Sequence, residues 1–116
     1  MNIFVKFLAA LKEFVFSLFR RESKKYQTHQ VEEYLPEMLN KGCLYIVSED
    51  GYFEQAALVC PCGCNSILHL NLIADEHPCW TVTTHGDGTS TLHPSVWRKV
   101  GCESHFWFRN GEIHWC

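Results

Sequence analysis

Three cysteines alternate along five residues in Cys60-Pro61-Cys62-Gly63-Cys64. Proline fixes φ and glycine tolerates unusual φ, so the backbone can curl and turn neighbouring sulfurs toward one point. A second half-site follows at Gly101-Cys102-Glu103-Ser104-His105, where a thiol and an imidazole stand three positions apart. Zinc takes tetrahedral shells of cysteine and histidine, whereas calcium, magnesium and manganese prefer oxygen, so the expected cofactor is Zn2+. The expected ligands are Cys62, Cys64, Cys102 and His105, with Cys60 in reserve because it ends a strand before the proline turn. The ligand count matters for the chemistry. If three knuckle thiols bind, His105 is free to act on a substrate; if two bind, His105 is a ligand and catalysis falls to Glu49.

A catalytic zinc site needs an open coordination position and a base that is not itself a ligand. Glu49, at the end of a strand leading into Asp50-Gly51, is the candidate base; the plainer reading is a solvated turn carboxylate. His93-Pro94-Ser95-Val96-Trp97 gathers an imidazole, a hydroxyl and an indole in one loop, a common composition for a binding loop. Ser95 and Ser104 are the candidate donors to a developing oxyanion. His69 follows Cys64 closely enough to border the site, while His29, His77, His85 and His114 read as surface or strand residues. Cys43 and Cys79 fit as small apolar strand residues. Cys116 either closes a strand or reaches the metal.

The elements that must hold these groups are mostly strands. Asp50-Gly51 is a two-residue hairpin signal between Cys43 to Glu49 and Tyr52 to Cys60. Ser66 to Leu72 alternates apolar and polar residues, as does Cys79 to His85, which turns through Gly86-Asp87-Gly88 and returns as Thr89 to Leu92. His105 to Arg109, the turn Asn110-Gly111 and Glu112 to Cys116 complete the series. Val31 to Leu39 reads as a strand end followed by a turn of helix near Pro36. The expected fold is mainly β: a small rolled sheet or sandwich of about seven short strands around the zinc site, over residues 26–116, with an N-terminal helix appended (α+β).

That helix occupies residues 3–19 within a basic segment, residues 1–25. Ile3, Phe4, Phe7, Leu8, Leu11, Phe14, Val15, Leu18 and Phe19 share one face at helical spacing, and Lys6 and Glu13 fall opposite. It is too charged for a comfortable membrane span. It is expected to pack on the sheet or a partner subunit, with a peripheral position at a membrane interface as the alternative.

The chain has 116 residues with seven cysteines and seven histidines, enough for one domain. An odd cysteine number leaves one over in any disulfide framework, and cysteines two apart could bridge only through a strained ring. The apolar N-terminal run is broken by Lys6, Lys12 and Glu13 and does not read as a secretory leader. The expected location is therefore the reducing cytoplasm, where clustered thiols bind metal. Residues 1–25 carry six Lys/Arg against two Glu, and the rest carries four basic against eleven acidic residues. Such an acidic body argues against nucleic acid as a partner.

The succession Leu44 to Glu49, Cys60-Pro61-Cys62-Gly63-Cys64, Leu70-Asn71-Leu72, Pro78 with Trp80, His93-Pro94-Ser95-Val96-Trp97, Gly101-Cys102-Glu103-Ser104-His105-Phe106 and Gly111 with Trp115 resembles a bacterial zinc-binding family of unassigned function. Some members of that family are encoded beside bacterial ubiquitin-like proteins and their conjugating enzymes. The resemblance covers about residues 42–116 and departs at Ser48, where a glycine is expected. It implies a zinc-dependent peptidase that processes or releases a ubiquitin-like protein, with the metal at the positions named above and with Glu49, Ser95 and Ser104 at motif positions that could serve catalysis. The implied partners are the ubiquitin-like protein or its conjugating machinery. The rival expectation is a non-enzymatic, zinc-stapled protein-binding module.

Overall fold

The computed structural model describes residues 25–116, so the expected helix at 3–19 lies outside the described residues. Nine strands make three sheets. The first contains β1 (Gln27–Glu32), β2 (Cys43–Glu49), β3 (Tyr52–Val59) and β4 (Ile67–Asn71), paired in that order. The second is the hairpin of β5 (Thr81–Thr84) and β6 (Ser90–His93), and the third orders β7 (Val96–Trp97), β8 (His105–Arg109) and β9 (Glu112–Trp115). The described residues are thus mainly β and contain no helix. The turn of helix expected near Pro36 is a run of bends instead.

The strands follow the hydrophobic pattern. Leu44 and Ile46 of β2, Ala56 and Leu58 of β3, and Leu68 and Leu70 of β4 are buried, and they meet Leu92, Val96, Phe106 and Phe108 in one core. Cys60, only 3% exposed, belongs to the same cluster. Two strands exceed the expected seven. β1 is polar and mostly exposed; it forms because the edge of β2 offers it a parallel ladder, which no local hydrophobic period announces. β7 has two residues and lies inside the segment read as a loop. Ser48 sits at a bulge in the β2–β3 register and is not among the residues with positive φ, so its backbone does not demand a glycine.

Gly111 ties β1 to the third sheet. It has φ +72°, it accepts a hydrogen bond from Tyr26 N–H at 2.7 Å, and its own N–H donates to Ser90 C=O at 2.9 Å. A Cβ at this position would lie 2.7 Å from Tyr26 O, against backbone that cannot step aside. Gly111→Ala is expected to destabilise the domain by about 1–3 kcal/mol, read as a lower midpoint in urea unfolding.

Candidate functional site

The Pro61-Cys62-Gly63-Cys64 turn follows β3 directly and is held by Cys60 N–H donating to Ser66 C=O at 2.7 Å and Gly63 N–H to Cys60 C=O at 3.4 Å. Gly63 takes φ +94°, a conformation that side chains resist. The turn swings Cys62 and Cys64 back toward Cys60, and the β7–β8 connection delivers Cys102. The sulfurs of Cys60, Cys62, Cys64 and Cys102 all lie within 4.8 Å of one another. Cys60 stands 3.4 Å from Cys62 and 3.6 Å from Cys102. A tetrahedral ion with metal–sulfur bonds of about 2.3 Å sets its sulfurs about 3.8 Å apart, so the four residues fit a metal ion and could hold one.

Cys62, Cys64 and Cys102 are therefore together as expected, but the fourth member of the cluster is Cys60 and not His105. The reason is the curl of the knuckle, which brings the strand-end thiol held in reserve against Cys62 and Cys102. Burial pushes the Cys60 thiol up to about 11. The hydroxyl and backbone N–H of Ser104 hold Cys102 down at about 5, and hydrogen bonds from Ser66 bring Cys64 to about 7. Further donors surround the sulfurs. Ser104 Oγ lies 3.1 Å from Cys102 Sγ, Arg98 Nη1 donates to Cys64 at 3.4 Å and to Cys102 at 3.6 Å, and Cys64 N–H donates to Cys62 at 3.4 Å. Such hydrogen bonds orient thiolates and temper their charge, as outer partners do around bound metal.

His105, at the start of β8, directs Nε2 to within 3.0 Å of Ser95 Oγ. Both residues are half-buried. Ser95 occupies the two-residue link Pro94-Ser95 between β6 and β7, where the chain passes from one sheet to another. Trp80 fixes that link: its N–H donates to Asn71 C=O at 2.8 Å and its indole N–H donates to Ser95 C=O at 3.2 Å. The Trp97 ring stacks on the imidazole at 4.9 Å and 14°, with Lys99 Nζ 5.2 Å from the same indole. A hydroxyl on an imidazole whose ring is held from the side has the geometry of a nucleophile beside its general base.

The remaining candidates lie elsewhere. Glu49 faces Tyr52 at the far end of the β2–β3 hairpin, and its carboxyl raises the pKa of Glu54 through a hydrogen bond. Eight strand residues between Tyr52 and Cys60 amount to roughly 27 Å, which separates Glu49 from the cluster. Ser104 is buried and committed to sulfur, Cys60 Sγ also reaching it at 3.7 Å. His69 pairs with Gln55 across the β3–β4 ladder. Ser95 in its loop and a His105 left free by three knuckle thiols were each legible in the sequence, but their pairing was not, because it depends on the antiparallel register of β7 with β8.

The fold and the site thus define a small β domain with a four-thiol cluster that could hold a metal ion and with a serine–histidine pair. Over residues 31–116 the chain matches the family described as Bacterial ubiquitination-like system serine protease (BubE), and it belongs to that family. No curated protein and no solved structure matches it.

The assignment of the fourth thiol is tested by metal stoichiometry. Cys60→Ser is expected to abolish tight binding of one zinc equivalent, whereas His105→Ala retains it and leaves the thiolate charge-transfer bands of the cobalt form unchanged. Metal competes with protons for each thiol, so affinity is expected to fall as pH is lowered. The fall steepens below about 7, where Cys64 takes its proton, and again near 5, where Cys102 does. Competition titrations with a chelator across this range read both steps.

Proposed function

We propose that the chain is a serine peptidase acting on the C-terminal tail of a ubiquitin-like protein, and that a zinc ion in its cysteine cluster is structural. The observation that carries this reading is the 3.0 Å separation of Ser95 Oγ and His105 Nε2. The family description, a serine protease of a bacterial ubiquitination-like system, supports both the nucleophile and the substrate class. Four thiols would fill a tetrahedral shell, the pattern of closed structural sites and not of catalytic sites that keep a position for water. Bound there, zinc would contribute on the order of 10 kcal/mol to folding and no step of the reaction.

In this mechanism His105 Nε2 accepts the Ser95 hydroxyl proton as Oγ attacks the scissile carbonyl carbon. The tetrahedral intermediate collapses when the C–N bond breaks, and His105 gives the proton to the leaving amine. Water then attacks the acyl ester, passing its proton to His105, which returns it to Ser95 as the carboxylic acid product leaves. Trp97, stacked on the imidazole, and Trp80, bonded to the Ser95 carbonyl, keep nucleophile and base aligned through the cycle. The zinc-and-Glu49 mechanism that the sequence suggests has little support, since Glu49 sits at the opposite end of its hairpin.

The closed four-thiol shell would equally suit a non-enzymatic module that binds the ubiquitin-like protein or its conjugating machinery. Cleavage separates the two readings. Ser95→Ala and His105→Ala are each expected to lower the rate on a tail-extended ubiquitin-like protein by about 10³-fold or more, with metal content unchanged, while Glu49→Gln stays within about twofold of the parent. A fluorophosphonate is expected to label Ser95. Full cleavage by Ser95→Ala, or no cleavage by the metal-loaded parent, would refute the proposal.

A further inference from the structure

A groove of about 330 Å³ is lined by four consecutive residues, 67–70, on one side and by Val96 and Trp97 on the other, with Trp80 and Arg98 also contributing. Successive side chains of a strand point to opposite faces, so four consecutive residues can line one groove only along the strand's edge. β4 is the edge strand of its sheet and β7 of its own. The groove therefore runs between two strand edges.

The register fixes which main-chain groups face it. In the β3–β4 ladder, Cys60 N–H donates to Ser66 C=O and Leu72 N–H to Glu54 C=O. Antiparallel bonding alternates, so Leu58 with Leu68 and Ala56 with Leu70 form the remaining bonded pairs. Ile67, His69 and Asn71 accordingly turn their N–H and C=O groups away from β3. Trp80 N–H takes the carbonyl of Asn71; among the described residues nothing takes the main-chain groups of Ile67 and His69. Across the groove, Arg98 N–H donates to Ser104 C=O at 2.8 Å. Val96 with Phe106 is then bonded and Trp97 turns its main-chain groups outward.

The ends of the groove are chemically distinct. Arg98, against Cys64 and Cys102, stands at one end. At the other, Asn71 meets Trp80, whose indole holds the Ser95 carbonyl. The free edge of β4 thus leads to the nucleophile.

We propose that this groove is the substrate subsite, and that it binds an extended polypeptide segment which adds as a strand to the edge of β4, through the main-chain groups of Ile67 and His69, and runs to Ser95. This rests on the peptidase reading and deepens it. Edge pairing draws affinity from main-chain hydrogen bonds and tolerates varied side chains, so the substrate is a segment that can extend, such as an unstructured tail, and not a folded surface or a helix.

The first test leaves the enzyme unaltered. A tail-extended ubiquitin-like protein is made semisynthetically with single N-methylated amides walked through the tail. Strand pairing predicts a period of two: kcat/KM falls about five- to tenfold at alternate amides and little at those between. His69→Pro, which deletes an N–H not used by β3 at a site where an edge strand tolerates proline, is expected to lower kcat/KM similarly while zinc content and fluorophosphonate labelling of Ser95 stay at the parent's level. Cleavage with a flat N-methyl profile and an unaffected His69→Pro overturns the groove alone. A protein that neither cleaves nor takes the fluorophosphonate at Ser95 overturns the peptidase reading and the groove with it.

Discussion

Two residues separate Cys102 from His105, so whatever fixes the sulfur also fixes the imidazole. The intervening Ser104 is buried, with its hydroxyl on Cys102 Sγ and its carbonyl accepting from Arg98 N–H. The Arg98 guanidinium returns to two of the sulfurs. This short, cross-linked connection joins the four-thiol cluster to β8 with little slack. The 3.0 Å contact between His105 and Ser95 depends on it, because a slip of even 1 Å costs heavily in nucleophilic catalysis.

The cluster also bears on stability. The three small sheets share one hydrophobic core. Cys60 is part of that core and part of the cluster at once. Left without a metal, a thiol so buried resists ionisation, while Cys102, held by Ser104, ionises readily. A cation at the centre would reconcile both, drawing the proton from Cys60 and neutralising charge beside the hydrophobic interior. Loss of the metal would therefore loosen the core and the loop bearing His105 together.

Much of the β architecture was legible because the core strands carry their own pattern. Asp50-Gly51 and Asn110-Gly111 mark hairpins that form where expected, and the alternation from Ile67 to Asn71 matches its burial. Only the end of β1, at Val31, was legible, since its other residues are polar and its partner is supplied by tertiary structure. The knuckle announced a cluster able to hold a metal ion, yet sequence spacing alone favoured His105 over Cys60; a strand-end cysteine gives no local sign of whether its sulfur faces the core or the turn. The serine–histidine pair was illegible for a related reason. Ser95 and His105 lie ten positions apart, one in the link before β7 and the other at the start of β8, and only the register of a two-residue strand sets one against the other.

The central claim is that the metal positions the reacting groups without touching the substrate. Exchange of the bound ion tests this most directly. With zinc, cobalt and cadmium forms compared on one substrate, the account predicts kcat values within about twofold and a cobalt absorption spectrum that does not change when substrate is added, because four thiolates leave no position for water or carbonyl. A kcat that shifts tenfold or more with the ion, or cobalt bands that move on substrate binding, would contradict it.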